Sequence, residues 1–131
     1  MKRFFVTVLM LSACAAALPA TARADGVWIE KTHPLIGGKD EVLLGVKAFT
    51  TQDAWAAGYY WGFVGGALEF RTHALHWDGI GWTRTATIDI ESAPASNTLR
   101  SIDGSNPSNV WAVGSYRDST FIYRGLIERW N

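Results

Sequence analysis

Three histidines are the residues of this sequence best suited to bind a metal or transfer a proton: His33, His73 and His76. His73 and His76 are close in sequence, but residues three apart on a β-strand point to opposite faces, so they are poor joint ligands. We expect a structural role for His76. His33 lies in a Thr-His-Pro stretch, which is typical of a solvated loop. Because the spacing also forms no Ser/His/Asp arrangement, we predict no catalytic residue, no metal site and no cofactor.

Aromatic residues offer a second kind of chemistry, because their rings stack on sugars or anchor the side chains of a partner. Trp61 follows Tyr59 and Tyr60 and precedes a glycine-rich stretch, which indicates a loop. Two interpretations stay open: Trp61 is a ligand platform, or it covers its own hairpin. Arg71 and Arg124 each follow an aromatic residue. They either bind acidic ligands, pair with neighbouring carboxylates or stack on an aromatic face. The candidate ligand- or partner-binding residues are Tyr60, Trp61, Arg71, Tyr116, Arg117, Tyr123 and Arg124.

The composition limits the class of protein. The chain has 131 residues, 48% of them apolar, with 12 basic and 12 acidic side chains, which suits one small globular domain. Without a basic excess we expect no nucleic-acid partner and no binding to an anionic membrane surface. One cysteine is too few for a disulfide scaffold or a cysteine-rich zinc site.

The first 24 residues are typical of a secretory signal peptide. Lys2 and Arg3 precede an apolar stretch over residues 4–18, which is too short for a membrane span, and Ala22-Arg23-Ala24 forms a cleavage site. We predict cleavage after Ala24 and a secreted, periplasmic or cell-envelope protein. The alternative is a lipoprotein with its lipid on Cys14. Cleavage after Ala24 leaves a net charge of −3 and no thiol.

The remaining chain contains two copies of one unit. Residues 43–60 align with residues 99–116 at a constant offset of 56, and the later part of the unit aligns at an offset of 53. The segment that begins at Trp28 aligns with the one that begins at Trp82, at an offset of 54, whereas Trp61 has no tryptophan as its counterpart. The repeated residues, which we expect to be structural, are Trp28, Trp55, Gly58, Trp77, Trp82, Trp111, Gly114 and Trp130.

Each unit is predicted to form four short β-strands separated by turn residues. In the first unit, residues 42–88, we predict strands over 42–49, 54–60, 70–77 and 81–88. The second unit, residues 98–131, takes its fourth strand from residues 27–32 of the same chain or of another copy. Asp78-Gly79 predicts a tight turn, because glycine tolerates a positive φ. We expect Asp53 and Asn109 to bind backbone groups in the turns before their strands.

The second unit carries a motif: Asn-Pro-Ser-Asn-Val-Trp-Ala-Val-Gly over residues 106–114, followed by Leu-Ile-Glu-Arg-Trp-Asn over residues 126–131. This pattern resembles the Trp-Ala-Val-Gly blades of secreted bacterial β-propellers, which are broadly kelch-like. The resemblance covers residues 25–131 and implies an all-β fold of two four-stranded antiparallel blades, a partial propeller. It implies little about activity, since propellers have many functions.

Two blades are too few for a ring, because propellers typically have about four to eight. Three interpretations stay open: subunits assemble into a trimer or tetramer by strand exchange, the chain is a remnant of a longer propeller, or two blades form a compact monomer. We predict an exported, non-catalytic binding or scaffold module with a glycan or protein ligand. The alternative is a catalytically silent remnant of a larger propeller enzyme or glycan-binding protein.

Overall fold

A computed structural model describes residues 26–90 and 94–131 of the chain. The predicted signal peptide, with Cys14 and the cleavage site at Ala24, lies outside these residues. All regular secondary structure in the described part is β, as the sequence predicted. No helix in this part is long and apolar enough to cross a membrane.

The first sheet has four antiparallel strands in chain order. They are β1 (Asp40–Thr50), β2 (Asp53–Val64), β3 (Ala67–Trp77) and β4 (Trp82–Thr85). β2 and β3 pair without interruption from Ala54 opposite Trp77 to Val64 opposite Ala67, so this hairpin is longer than predicted. The last strand is shorter than predicted and ends at Thr85. Gly79 has a φ of 93° in the turn before β4, as the Asp-Gly pair predicted.

The second sheet has three antiparallel strands: β5 (Asn97–Asn106), β6 (Asn109–Arg117) and β7 (Tyr123–Trp130). The prediction of two four-stranded sheets was therefore wrong for the second unit. Residues 26–38 form no strand, and the side chain of Trp28 is fully exposed. The segment 27–32 thus does not complete the second sheet within the same chain.

Both sheets contain the same irregularities at equivalent positions, which supports the repeat found in the sequence. The register of β1 shifts between Leu43 and Gly45, and that of β5 shifts between Leu99 and Ser101, 56 residues later. Each shift brings a backbone carbonyl against the neighbouring strand. A Cβ added at Gly58 or at Gly114 would lie 1.8 Å from that carbonyl oxygen, so only glycine fits at either position.

The hydrophobic core lies between the two sheets. Alternate residues of a strand face opposite sides, and one side of each sheet contacts the other sheet. We call these two sides the inner faces and the opposite sides the outer faces. The inner faces supply the core residues Trp55, Ala57, Leu99, Ile102, Val110, Ala112 and Leu126.

Candidate functional site

The internal interface joins two different surfaces of one repeated unit. The first sheet contributes the surface that contains Trp55 and Ala57, and the second sheet contributes the surface that contains Val110 and Ala112. At an offset of 56, Trp55 and Ala57 correspond to Trp111 and Val113, and Val110 and Ala112 correspond to Ala54 and Ala56. The interface is therefore heterologous, because unlike surfaces of similar units meet.

The outer faces carry the counterparts of these interface residues, and several of those counterparts are exposed. Trp55 is 3% exposed, whereas Trp111 is 44% exposed. Leu99 and Ile102 are 0% and 8% exposed, whereas their counterparts Leu43 and Val46 are 41% and 69% exposed. The chain thus presents, on opposite sides, copies of both surfaces that form its own core. On the first sheet this copy is exposed at Leu43 and Val46, whereas Ala54 and Ala56 are buried.

The charged residues at the interface between the sheets also occupy equivalent positions of the repeat. Lys47 of β1 forms an ion pair with Asp103 of β5, with 2.5 Å between Nζ and Oδ1. These two residues occupy the same position of the repeat, 56 residues apart. A second copy that docked in the same way would place its own Lys47 against the Asp103 of the first copy, so the contact would again join opposite charges.

The second sheet also has an open edge, because no strand among the described residues pairs with the outer side of β7. In the first sheet β4 pairs with β3, and Trp82 lies opposite Trp77 with their ring centroids 5.7 Å apart. The counterpart of Trp77 is Trp130 at the end of β7, and the counterpart of Trp82 is the exposed Trp28. An unpaired strand edge is a template for a strand from another chain.

The predicted binding residues do not form one cluster. Tyr60 lies on the outer face of the first sheet, where its ring meets that of His73 edge to face at 6.3 Å. Trp61 points to the opposite side and stacks on Phe70 at 6.2 Å. Trp61 lies within β2 and not in a loop, because β2 continues to Val64.

The arginines among the candidates have partners of their own. Arg71 pairs with Glu69 at 2.8 Å, and Arg124 donates a hydrogen bond from Nε to Asp118 at 3.0 Å, as the carboxylate alternative predicted. The guanidinium group of Arg117 lies 5.1 Å above the ring of Phe121.

Two tyrosines of the second sheet complete the set of candidates. Tyr116 is half-buried and packs against the core between the sheets. Tyr123 lines an open cleft together with Tyr59 and Phe70 of the first sheet. A role of any of the seven candidates in ligand binding remains a prediction.

Asp53 and Asn109 contact other side chains, in contrast to the predicted backbone bonds. Asp53 lies 3.3 Å from His76, and Asn109 accepts hydrogen bonds from Trp111 and from Arg129 at 3.1 Å and 2.9 Å. The ring of His76 packs 4.5 Å from that of Trp55, which is the structural role that we expected for this histidine.

The structure brings together a set of metal-ligating residues that the sequence did not pair. His33 and His73 flank Glu41, and one donor atom of each residue lies within 4.8 Å of the other two. The prediction that His33 is solvated was wrong, because the segment before β1 folds over the first sheet and leaves this side chain half-buried. No pattern in the sequence indicated this cluster, since its members lie on three separate segments.

Comparison with protein-family models, curated proteins and solved structures gives no match for this chain. The interpretation of the two outer faces and of the His/Glu cluster therefore depends on their geometry.

Proposed function

We propose that this protein is an exported, non-catalytic scaffold module whose copies dock head to tail. The outer face of the second sheet in one copy packs on the outer face of the first sheet in the next. In this proposal each sheet is a propeller blade, and three or four chains close a ring of six or eight blades. A heterologous contact forms a closed ring when its rotation permits closure.

The observation that carries the proposal is that each outer face repeats a surface already used inside the chain. The interface between the sheets brings Trp55 within 5.2 Å of Trp130, measured between ring centroids. The corresponding contact between two copies would join Trp111 to Trp77. Apolar side chains on such a patch favour association, because burial removes them from water.

Residues 26–32 contribute a second contact in this proposal. By analogy with the pairing of β3 and β4, Trp28 of one copy would lie opposite Trp130 of its neighbour, and Lys31 would lie opposite Ile127. The added strand would satisfy the open edge of β7. Deletion of residues 26–32 should therefore reduce the assembly to monomers or aggregate.

The test is the solution mass of the purified protein, measured by light scattering after size-exclusion chromatography. We expect three or four chains per particle. Val46→Asp places a charge in the proposed contact and should give a folded monomer, because Val46 is exposed within a single chain. Trp111→Ala should weaken the assembly through lost packing.

Phe63→Asp is the matched control, since Phe63 is an exposed apolar residue at the tip of the β2–β3 hairpin, away from both outer-face patches. This variant should keep the mass of the wild-type protein. A monomeric wild-type protein would refute the proposal, as would an assembly whose mass Val46→Asp leaves unchanged. Soluble aggregate of undefined mass would favour the remnant of a longer protein instead.

A further inference from the structure

A buried histidine on the first sheet lacks a hydrogen-bond partner. His73 is 0% exposed, and neither of its ring nitrogens has a partner among the described residues. A buried polar group without a partner destabilises the fold, so native structures rarely contain one without a reason. Burial lowers the pKa of His73, because a surrounding of low polarity disfavours the charged imidazolium.

Two other metal-ligating side chains lie close to His73. The Oε2 atom of Glu41 lies 3.5 Å from Nε2 of His73 and 3.8 Å from Nδ1 of His33. This Oε2 atom is itself buried without a hydrogen-bond partner, whereas Oε1 accepts a hydrogen bond from the backbone of Ile36. Three donor atoms from three segments thus converge on one place.

The second sheet shows how the repeat is built without such a cluster. Asn97 is the counterpart of Glu41, and it exchanges two hydrogen bonds with the backbone of Ile90, the counterpart of Ile36. Leu126 takes the place of His73 in the core, and Thr87 takes the place of His33. An apolar side chain therefore satisfies the position of His73 structurally, and the fold does not require a histidine there.

We propose that His33, Glu41 and His73 bind a divalent first-row transition-metal ion, of which Zn²⁺ is the representative. Two imidazoles and one carboxylate are a donor set that such ions prefer, with a fourth position left for water. The ion would supply a partner for Nε2 of His73 and for Oε2 of Glu41, and it would fix the segment around His33 on the first sheet.

The distances between the donor atoms of Glu41 and the two histidines agree with a zinc site. A tetrahedral zinc ion about 2.1 Å from its ligands holds their donor atoms roughly 3.4 Å apart. The distances from Glu41 to the two histidines are close to that value. His33 is on a segment outside the sheets, so a small movement of its ring completes the coordination.

Isothermal titration calorimetry with ZnCl₂ on the purified metal-free protein tests the proposal. We expect one Zn²⁺ per chain and a Tm that rises with the concentration of the ion, because binding to the folded state stabilises it. Co²⁺ in place of Zn²⁺ should give the visible absorption of a four-coordinate site. His73→Leu installs the residue of the second sheet and should abolish both signals while the protein stays folded.

The third histidine supplies a matched control. His76 lies on the other side of β3, and His76→Arg installs its counterpart Arg129, so this variant should bind Zn²⁺ like the wild-type protein. If His73→Leu does not fold, Glu41→Asn and His33→Thr remove a ligand in the same way, and each should weaken binding at least about tenfold. Absence of Zn²⁺ binding to the wild-type protein, or binding that all three ligand variants retain, would overturn the proposal.

Discussion

The two sheets are built on one pattern, yet they bury opposite surfaces of it. In the first sheet the surface with the tryptophan, Trp55, is covered, and in the second sheet the same surface, with Trp111, is open. The reverse holds for part of the other surface, where Leu99 is covered and Leu43 is half-exposed, although Ala56 beside it is buried. Burial in this molecule therefore depends on which neighbour a sheet has, and residue type alone does not decide it.

This difference shows what an isolated pair of repeats lacks. Repeats bury their apolar faces on each other, and each end of a stack leaves one face without a neighbour. In the proposed assembly we expect the two outer faces to fit each other, because the inner faces, which are built from equivalent positions of the repeat, already pack together. This is why we propose a second copy of the chain as the partner.

The largest effect is expected from the pair Trp55→Ala and Trp111→Ala, which separates the covered position from the open one. Loss of a buried tryptophan costs about 3–5 kcal/mol, so Trp55→Ala should unfold at much lower urea concentration. Trp111→Ala should cost below about 1 kcal/mol, since Trp111 is already exposed in a single chain. Urea denaturation of both variants, each combined with Val46→Asp to remove association, measures the two free energies.

An equal loss of unfolding free energy in the two variants would contradict the difference between the sheets, because it would indicate that Trp111 is buried in the monomer. In the Val46→Asp background, the free energy of unfolding should not change with protein concentration. Without Val46→Asp, the stability of the wild-type assembly should rise with concentration.

The two units differ at Trp61, because its counterpart in the second unit is Arg117 and not a tryptophan. Trp61 stacks on Phe70, so Trp61→Ala should destabilise the protein by about 1–2 kcal/mol and leave its mass unchanged. Thermal unfolding of the variant measures this loss. An unchanged Tm together with lost binding on a glycan array would instead assign Trp61 to a ligand platform.

The smallest effect concerns Glu128, which occupies the position of Leu75 in the first unit. Burial raises the pKa of Glu128, only partly offset by the hydrogen bond from Ile88, so its ionised form opposes folding. Glu128→Gln keeps an acceptor for Ile88 and removes the charge. We expect its Tm at pH 7 to exceed that of the wild-type protein by roughly 2–5 °C, the shift that a change below about 1 kcal/mol gives a small domain.

The sign of the pH dependence follows from the raised pKa. The folded state binds the proton of Glu128 more tightly than the unfolded state, so this residue favours folding at low pH, and the benefit is lost as the pH rises through the folded-state pKa. The difference between Glu128→Gln and the wild-type protein should therefore disappear near pH 4. A lower Tm of the variant at pH 7 would show that the carboxylate stabilises the fold.

Much of the fold could be predicted from the sequence because it depends on local chemistry. Alternating apolar residues and turn residues indicated the strands, and the constant offsets identified equivalent positions such as Gly58 and Gly114. The ends of strands were less predictable: β2 continues through Trp61 because its pairing with β3 extends to the Gly65–Gly66 turn. The candidate site was predicted in part, since the sequence indicated that two units leave faces uncovered but did not identify which faces.

The sequence by itself determined the repeat, the β class and the glycines that the strand irregularities require, since these follow from periodicity and sterics within a few residues. Only the tertiary structure decided that Trp55 is covered while Trp111 is open, that residues 27–32 stay unpaired within the chain, and that His33 meets Glu41 and His73. The physical reason is the same in all three cases. Strand alternation fixes which residues share a face, but the packing of distant segments decides what each face contacts.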